Sequence, residues 1–144
     1  MKLSEKGIII RKAVESDLRQ IYLSVKEMPL FINAGFTAEK LAELFMSENS
    51  IILTAARKKK ILGFIAGNKD EKKSFIQYLF VNEKFRGSGI GSALIEKYLI
   101  RGKKSGAEDF FIALPENNME SLNFCIKKGF SREENRVILR KKEN

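Results

Sequence analysis

The sequence predicts a layered α/β fold, of the α/β or α+β kind, with a mixed, mostly antiparallel central sheet and helices on both faces. Three observations lead to this prediction. First, short apolar runs bounded by polar turns recur along the chain and predict strands. Second, segments with apolar residues at helical spacing alternate with these runs. Third, two consecutive apolar runs are joined by a short basic turn, which indicates an antiparallel hairpin. The predicted order is β, α, α, β, β, β, α, β, α, β. A chain of 144 residues fits one domain, positions 1–144.

The chain begins with a predicted strand and helix. The strand covers Gly7–Lys12, and Val14–Asp17 offers side chains that can cap a helix. Apolar residues at helical spacing then predict a helix from Leu18 to about Met28, and Pro29 ends it.

A second helix is predicted before the main sheet strands. Leu30–Phe36 is an apolar segment that forms either a loop or a short helix. Thr37 can then cap a helix, because a threonine hydroxyl accepts a hydrogen bond from a free N–H of the first turn. The apolar face of this helix consists of Leu41, Leu44 and Phe45.

Three strands follow, joined by two charged turns. Ser50–Ala56 and Ile61–Gly67 are apolar, and the basic run Arg57–Lys60 between them is typical of a hairpin turn. Asp70–Lys73 is a second charged turn, and it leads into the strand Phe75–Val81.

The C-terminal half is predicted as helix, strand, helix and strand. A helix starts at Ile90 and ends near Gly106, which is a plausible residue for the end of a helix. Phe110–Leu114 is a central strand that Pro115 closes. The last helix places four residues on one face, namely Leu122, Cys125, Ile126 and Gly129. Val137–Leu139 is predicted as a terminal strand.

Composition excludes several kinds of chemistry. The chain has no histidine, which excludes a histidine base or triad from within it, and with one cysteine a zinc site is not expected. No run is apolar enough to predict a membrane span, and no signal peptide is visible, so we expect a cytoplasmic protein without a membrane partner. The formal charge of +9 favours polyanionic partners such as nucleic acid, the ribosome or a phosphate-rich cofactor.

The segment between the strand ending at Val81 and the helix starting at Ile90 is typical of an anion site. The first N–H groups of a helix have no partner within it, and the helix dipole adds partial positive charge there. Glycines at 87, 89 and 91 let a phosphate approach the backbone, Ser88 adds a hydroxyl, and Arg86 adds a fixed charge. The spacing matches neither the kinase-type P-loop nor the dinucleotide fingerprint.

The pattern Arg-x-x-Gly-x-Gly at Arg86–Gly91 resembles the pyrophosphate-binding signature of the GNAT superfamily, the acyl-CoA-dependent N-acyltransferases. Alone, it is equally the pattern of a glycine-rich turn. A second family motif after Pro115 adds specificity, with five matching residues, Asn118, Ser121, Phe124, Gly129 and Phe130. The motifs stand in the family's order, the element order is similar to the GNAT fold, and the resemblance covers nearly the whole chain.

The resemblance implies acetyl-CoA, or another acyl-CoA, as co-substrate without a metal. In the family the strand before the loop bulges and separates from the next strand, and its free backbone groups bind the pantetheine arm. The residues expected to bind the co-substrate are Leu79, Phe80, Val81, Arg86, Gly87, Ser88, Gly89, Ile90, Gly91, Ser92, Asn118, Ser121 and Phe124.

Cys125 is where this sequence departs from the family pattern. Many members carry a tyrosine there, which is proposed to protonate the leaving CoA thiolate. A cysteine thiol has an ordinary pKa of about 8.5 and can serve as an acid, although it is shorter than tyrosine. The alternative is an inert core residue, because free cysteine is often buried. Cys125 is therefore a candidate catalytic acid with a structural alternative.

The implied function is transfer of an acetyl group from acetyl-CoA to a primary amine by direct attack. The amine is a protein N-terminus, a lysine or a small amine, and Leu30–Phe36 is expected to help select it. No carboxylate is assigned as base; Glu83 and Glu116 follow the central strands but also suit solvated loops. The alternatives are a non-catalytic acyl-CoA sensor and a basic RNA- or ribosome-associated domain. We expect a monomer or a homodimer.

Overall fold

The computed structural model describes residues 2–114, 119–134, 137 and 139–141. The chain divides into two compact units, Met1–Ala113 and Leu114–Asn144. The first unit contains the sheet and the helices that pack on it. The second contains the helix formed by Met119–Lys127.

The first unit is built on a five-stranded sheet in the order β1-β2-β3-β4-β5. Its strands are β1 (Ile9–Lys12), β2 (Ser50–Arg57), β3 (Lys60–Asp70), β4 (Lys73–Val81) and β5 (Asp109–Ile112). The first four strands pair antiparallel with their neighbours, and β5 pairs parallel with β4. The prediction of a mixed, mostly antiparallel sheet is confirmed. The predicted hairpin of β2 and β3 forms, and β3 and β4 form a second one at the charged turn Asp70–Lys73.

Helices connect the strands. They are α1 (Leu18–Val25), α2 (Pro29–Asn33), α3 (Ala38–Met46), α4 (Ile90–Lys104) and α5 (Met119–Lys127). The first helix ends three residues before the predicted Met28, and Pro29 opens α2 instead of only ending α1. Proline suits a first helical position because its missing N–H would have no partner there. Of the two alternatives for residues 30–36, the short helix is therefore the one observed.

The predicted cap at Thr37 is confirmed, whereas no side chain of Val14–Asp17 caps α1, and Asp17 instead bonds at the 3-10 turn Glu15–Asp17 before it. The hydroxyl of Thr37 accepts from Lys40 N–H at 3.0 Å, at the start of α3. The Asp17 carboxylate accepts from Val14 N–H at 2.8 Å and from both terminal nitrogens of the Arg11 guanidinium. The hydrogen bonds from Arg11 hold the pKa of Asp17 below its ordinary value. These bonds fix where the chain turns from β1 into α1.

Successive residues of β3 point to opposite faces of the sheet, and helices cover both faces. Phe64 and Ala66 belong to the core cluster that also contains residues of α1, α2 and α3. Gly63 and Gly67 point the other way, towards α4. A Cβ on Gly63 would lie 3.4 Å from Ile90 Cγ2, and one on Gly67 would lie 2.2 Å from the Tyr98 hydroxyl. The two glycines let α4 approach the sheet closely.

Two predictions for the C-terminal segment are wrong. Val137 and Leu139 are 84% and 88% exposed and belong to no strand, while Ile138 lies outside the described residues. Gly129 does not share the apolar face of α5, because the helix ends at Lys127 and Gly129 has a left-handed φ of +98°. Phe130 N–H then donates to Cys125 O at 3.1 Å, which closes the helix end. The predicted role of Gly106 after α4 is confirmed by its φ of +97°.

Candidate functional site

A β-bulge interrupts the pairing of β4 with β3. Tyr78 pairs with Ala66 and Ile76 pairs with Gly67, so Gln77 between them has no opposite residue. A bulge adds one residue to one strand, which bends that strand and increases its twist. The bend expected from the family resemblance is therefore present in β4.

The pairing of β4 with β5 ends at the bulge. In the described part of the chain, β5 pairs with β4 only through Lys73–Ile76. Gln77–Val81 continues β4 past the last of these pairs, so that among the described residues this stretch pairs with β3 alone, and its other side is called here the open edge. The pairing thus ends before the segment that the family resemblance assigns to the pantetheine arm, and the separation of the two strands stays a prediction.

The hydrogen bonds of β4 show which backbone groups face the open edge. Asn82 N–H donates to Leu62 O of β3 at 2.8 Å. Successive residues of a strand direct their backbone groups to alternate sides. Phe80 therefore bonds with β3, while Leu79 and Val81 direct their N–H groups to the open edge. Of the three strand residues expected to bind the co-substrate, Leu79 and Val81 therefore have an N–H group in a suitable orientation, and Phe80 does not.

The glycine loop follows β4 directly. It consists of a single 3-10 turn, Glu83–Phe85, and then Arg86–Gly89. Gly87 and Gly89 have left-handed φ values of +77° and +93°. A Cβ on either glycine would have no described atom within 4 Å. Glycine is needed here for its backbone conformation, and the space above the loop is open to a ligand.

The loop ends at the N-terminus of α4. The first helical bond at this end runs from Ala93 N–H to Gly89 O at 3.0 Å. The N–H groups of Ile90, Gly91 and Ser92 therefore precede the hydrogen-bond ladder of the helix and can donate to an anion. The Ile90 side chain is buried and anchors the first turn against the sheet.

Two side chains close the loop. The Ser88 hydroxyl donates to Phe85 O, so its proton is used within the loop. Exposed Arg86 donates from Nε to Val81 O at 3.3 Å. Since the Val81 carbonyl faces the open edge, this bond joins the loop to the end of β4. Arg86 therefore places its positive charge beside both elements.

The remaining predicted site residues belong to the second unit. Ser121, Phe124 and Cys125 lie on α5, and Lys128 Nζ is 5.9 Å from the centre of the Phe124 ring. Cys125 is 3% exposed, and burial raises the pKa of its thiol. Both observations favour the structural alternative for Cys125. Asn118 and Glu116 lie outside the described residues, so their roles stay predictions.

Neither Tyr78 nor Glu83 is placed as a reacting group. The Tyr78 ring centre is 5.9 Å from that of Phe31 and 4.7 Å from that of Phe36. It belongs to the edge of the core, and burial raises the pKa of its hydroxyl. Glu83 is an exposed residue of the 3-10 turn. Tyr78 is therefore a core residue, and Glu83 agrees with the solvated loop position expected as its alternative.

A buried hydroxyl pair supports the bulge, and sequence reasoning missed it. The Tyr98 hydroxyl of α4 lies 2.8 Å from Ser74 Oγ and donates to Phe75 O at 3.4 Å. Gly67 leaves the room that this hydroxyl occupies. The sequence signal was a tyrosine on the apolar face of α4, since a buried tyrosine needs a hydrogen-bond partner.

The described residues contain neither a metal-binding cluster nor a membrane-spanning helix. No group of three or more Cys, Asp or Glu side chains there is arranged to hold a metal ion. No helix in the same residues is long and apolar enough to cross a membrane.

The sequence matches a known protein family over most of its length. Residues 12–130 match the model of the acetyltransferase (GNAT) family. The chain belongs to the GNAT acetyltransferase family, an enzyme family.

Individual relatives are distant. An uncharacterized N-acetyltransferase of Mycobacterium bovis is 26% identical over 103 residues, which is 69% of this chain and 65% of the relative. The match thus spans about two thirds of that relative's length. An acetyltransferase of Photorhabdus laumondii is 26% identical over 135 residues, covering 92% of this chain and 94% of the relative.

Solved structures show the same fold at lower identity. An aminoglycoside acetyltransferase from an uncultured soil metagenomic sample, in complex with sisomicin, has a TM-score of 0.80 and 21% identity, covering 99% of this chain and 100% of its own. An aminoglycoside N-acetyltransferase in complex with CoA has a TM-score of 0.79 and 18% identity, and the match covers 93% of this chain and 94% of that structure's chain.

Proposed function

We propose that this chain transfers the acetyl group of acetyl-CoA to a primary amine by direct attack. The observation that carries the proposal is the continuity of the open edge of β4 with the open glycine loop at the start of α4. Membership of the GNAT family supports acetyl-CoA as the co-substrate. The solved CoA complex with the same fold supports it as well.

The glycine loop fits the pyrophosphate of the co-substrate. Three N–H groups at the start of α4 point ahead of the helix, where the helix dipole favours negative charge. Gly87 and Gly89 leave the approach to them open, and Arg86 adds a full positive charge beside it. A group with two phosphates suits such a site better than a neutral ligand does.

The open edge of β4 fits the amide-bearing arm of the co-substrate. Leu79 and Val81 offer N–H groups on this edge at the spacing of alternate residues in a strand. An extended ligand with amide groups can pair with such an edge as a further strand would. The two elements together bind both halves of one molecule.

Chemistry then follows from positioning. The neutral amine attacks the thioester carbonyl, a carbon–nitrogen bond forms, and the carbon–sulfur bond breaks with its electron pair going to sulfur. Val81 N–H donates a hydrogen bond to the oxygen on which charge develops. The amine loses its proton to water, and water supplies the proton that the thiolate takes up. This scheme needs no covalent intermediate on Cys125.

The acceptor class is a primary amine. The candidates are a protein N-terminus, a lysine side chain and a small amine. The structural neighbour crystallised with sisomicin supports small amines as the first compounds to test. Exposed Leu30 and Ile32 on α2 give the expected acceptor segment an apolar surface.

An acceptor panel tests the proposal. The protein is incubated with acetyl-CoA and, separately, a peptide with a free N-terminus, an N-terminally blocked lysine peptide and an aminoglycoside. Mass spectrometry reads acetylation of each acceptor, and a thiol reagent reads release of CoA. We expect both signals with at least one amine. Acetyl-CoA binding without either signal, across a widened panel of amines, would favour the non-catalytic sensor.

A further inference from the structure

A turn of four cations lies near the glycine loop, on the hairpin that joins β2 to β3. We infer that Arg57–Lys60, called here the basic hairpin, binds the phosphate monoester on the 3′ position of the CoA ribose. The inference rests on the proposed function, because it assumes that CoA occupies the glycine loop. It adds a contact that neither of the two family motifs contains.

The basic hairpin lies at the same end of the sheet as the glycine loop. Gly63, three residues after the hairpin, pairs with Val81, the last residue of β4. The Arg57 guanidinium carbon lies 5.0 Å from the centre of the Phe85 ring. Phe85 itself accepts the Ser88 hydroxyl through its carbonyl. One aromatic side chain therefore connects Arg57 with the glycine loop.

The backbone of the basic hairpin is held in place by α1. Gln20 donates from Nε2 to Lys59 O at 3.1 Å and accepts from Ile61 N–H. The two bonds fix the turn from both sides. Lys58 has a left-handed φ of +56°, which a lysine adopts only where the surrounding structure enforces it. The four cations are thus held together by a constrained turn.

The positive charge of the basic hairpin is not neutralised within the protein. All four side chains are exposed, and they surround a shallow depression that also includes Gln20. Among the described residues, the ion pairs are Arg11 with Asp17 and Lys72 with Glu108, and neither involves the hairpin. Four uncompensated cations at one turn attract a compact, highly charged anion.

A phosphate monoester matches this charge better than a nucleic-acid backbone does. It carries about two negative charges at neutral pH, as a phosphorylated side chain does. Nucleic-acid surfaces usually extend the charge along a stripe and offer aromatic faces to the bases. Here the charge is confined to one turn, and Arg57 already covers the neighbouring aromatic ring.

Calorimetry with two ligands tests the inference. Wild-type protein is titrated with CoA and with 3′-dephospho-CoA, which lacks only the monoester. We expect CoA to bind about tenfold more tightly, a difference of about 1.4 kcal/mol, because the monoester adds charge that the exposed cations attract. The variant Lys58→Asn/Lys59→Gln/Lys60→Gln should lose this preference and retain wild-type affinity for 3′-dephospho-CoA.

A matched control removes the same charge elsewhere. Arg101→Gln/Lys103→Gln/Lys104→Gln changes three cations at the far end of α4, about 20 Å from the loop for a helix of this length. This variant should keep the tenfold preference. Equal affinity of wild-type protein for the two ligands would overturn the inference alone, and so would a hairpin variant that keeps the preference. Failure to bind either ligand would overturn the proposed function as well.

Salt-dependent retention of the protein on RNA distinguishes a nucleic-acid-binding surface from a CoA phosphate subsite. If the hairpin variant lost RNA binding while its preference for CoA stayed unchanged, the basic hairpin would belong to a nucleic-acid surface, and the inference would be wrong. Loss of the CoA preference with unchanged RNA retention supports it.

Discussion

Arg86 Nε donates to the carbonyl oxygen of Val81 at 3.3 Å, across the mouth of the glycine loop. The bond joins the residue that brings positive charge to the loop with the last residue of β4. Like Leu79, Val81 also directs its N–H group to the open edge of the sheet. One hydrogen bond therefore links the proposed phosphate site to the proposed reaction site.

The first prediction concerns Arg86. Arg86→Gln removes the charge at the loop, and we expect the KM for acetyl-CoA to rise about threefold, since a charge contact at an exposed site is worth about 0.7 kcal/mol. Arg86→Lys keeps the charge but loses the geometry of the guanidinium, and its KM should lie between the two. Steady-state kinetics with the best acceptor measures both. An unchanged KM in Arg86→Gln would remove Arg86 from the site.

The second prediction concerns the N–H group of Val81. Val81→Pro removes that donor without breaking a β3 bond, because the group faces away from β3. We expect kcat/KM to fall by about a hundredfold or more, as when an oxyanion donor is lost. Val81→Ala removes the side chain and keeps the donor, and it should stay within about threefold of wild type. If both variants had the same activity and the same melting temperature, Val81 N–H would have no role in transfer.

The third prediction is that Cys125 is structural. Its thiol is buried and its pKa is raised, so the thiol stays neutral at physiological pH. Cys125→Ala should keep kcat within about threefold of wild type between pH 6 and 8, less than the loss of about a hundredfold that removing an acid causes. Abolished turnover in a folded variant would instead identify Cys125 as an acid or nucleophile.

The same thiol makes stability depend on pH. The pKa of the thiol is higher in the folded state than in the unfolded chain, where it is about 8.5. Burial of the neutral thiol therefore contributes fully to the free energy of unfolding below that pH. The contribution is lost as the pH rises through the folded-state pKa. Urea unfolding at pH 7 and pH 10 should therefore show wild-type protein losing more stability than Cys125→Ala does. Parallel losses would contradict the assignment of the thiol to the core.

The fourth prediction concerns the hydroxyl pair under the bulge. Tyr98→Phe leaves the Ser74 hydroxyl, which is 1% exposed, without that partner, and should cost about 1–2 kcal/mol in the free energy of unfolding. Adding Ser74→Ala removes both polar groups and should restore part of the loss. Urea unfolding of the two single variants and the double variant measures the coupling. Additive effects would show that the two hydroxyls stabilise the fold independently.

Local patterns predicted most of the elements. The apolar run before the loop and the helical spacing after it identified β4 and α4, and Gly106 marked the end of α4. The prediction failed at Val137–Leu139, because an apolar triplet predicts burial only if another element covers it. It also failed to show where α1 ends, since proline can open a helix as well as end one.

The tertiary contacts of the site could not be predicted from the sequence. The bulge at Gln77 depends on how β3 and β4 pair, and no residue type at that position signals it. The orientation of Val81 N–H follows from the same register. The contact between Arg57 and Phe85 joins residues 28 positions apart, and a basic turn alone does not indicate which ring it meets. The glycine loop was recognisable because its chemistry lies within consecutive residues.

The most direct measurement is calorimetric titration of acetyl-CoA into Gly89→Glu and Gly106→Glu. Both glycines have a left-handed φ and lie at opposite ends of α4, so both variants carry similar backbone strain and the same added charge. Only Gly89 faces the proposed pyrophosphate site, where a glutamate side chain would fill the open space and repel phosphate. The account predicts that wild-type protein and Gly106→Glu bind acetyl-CoA with similar affinity and that Gly89→Glu does not bind it. Equal binding by the two variants would contradict the account.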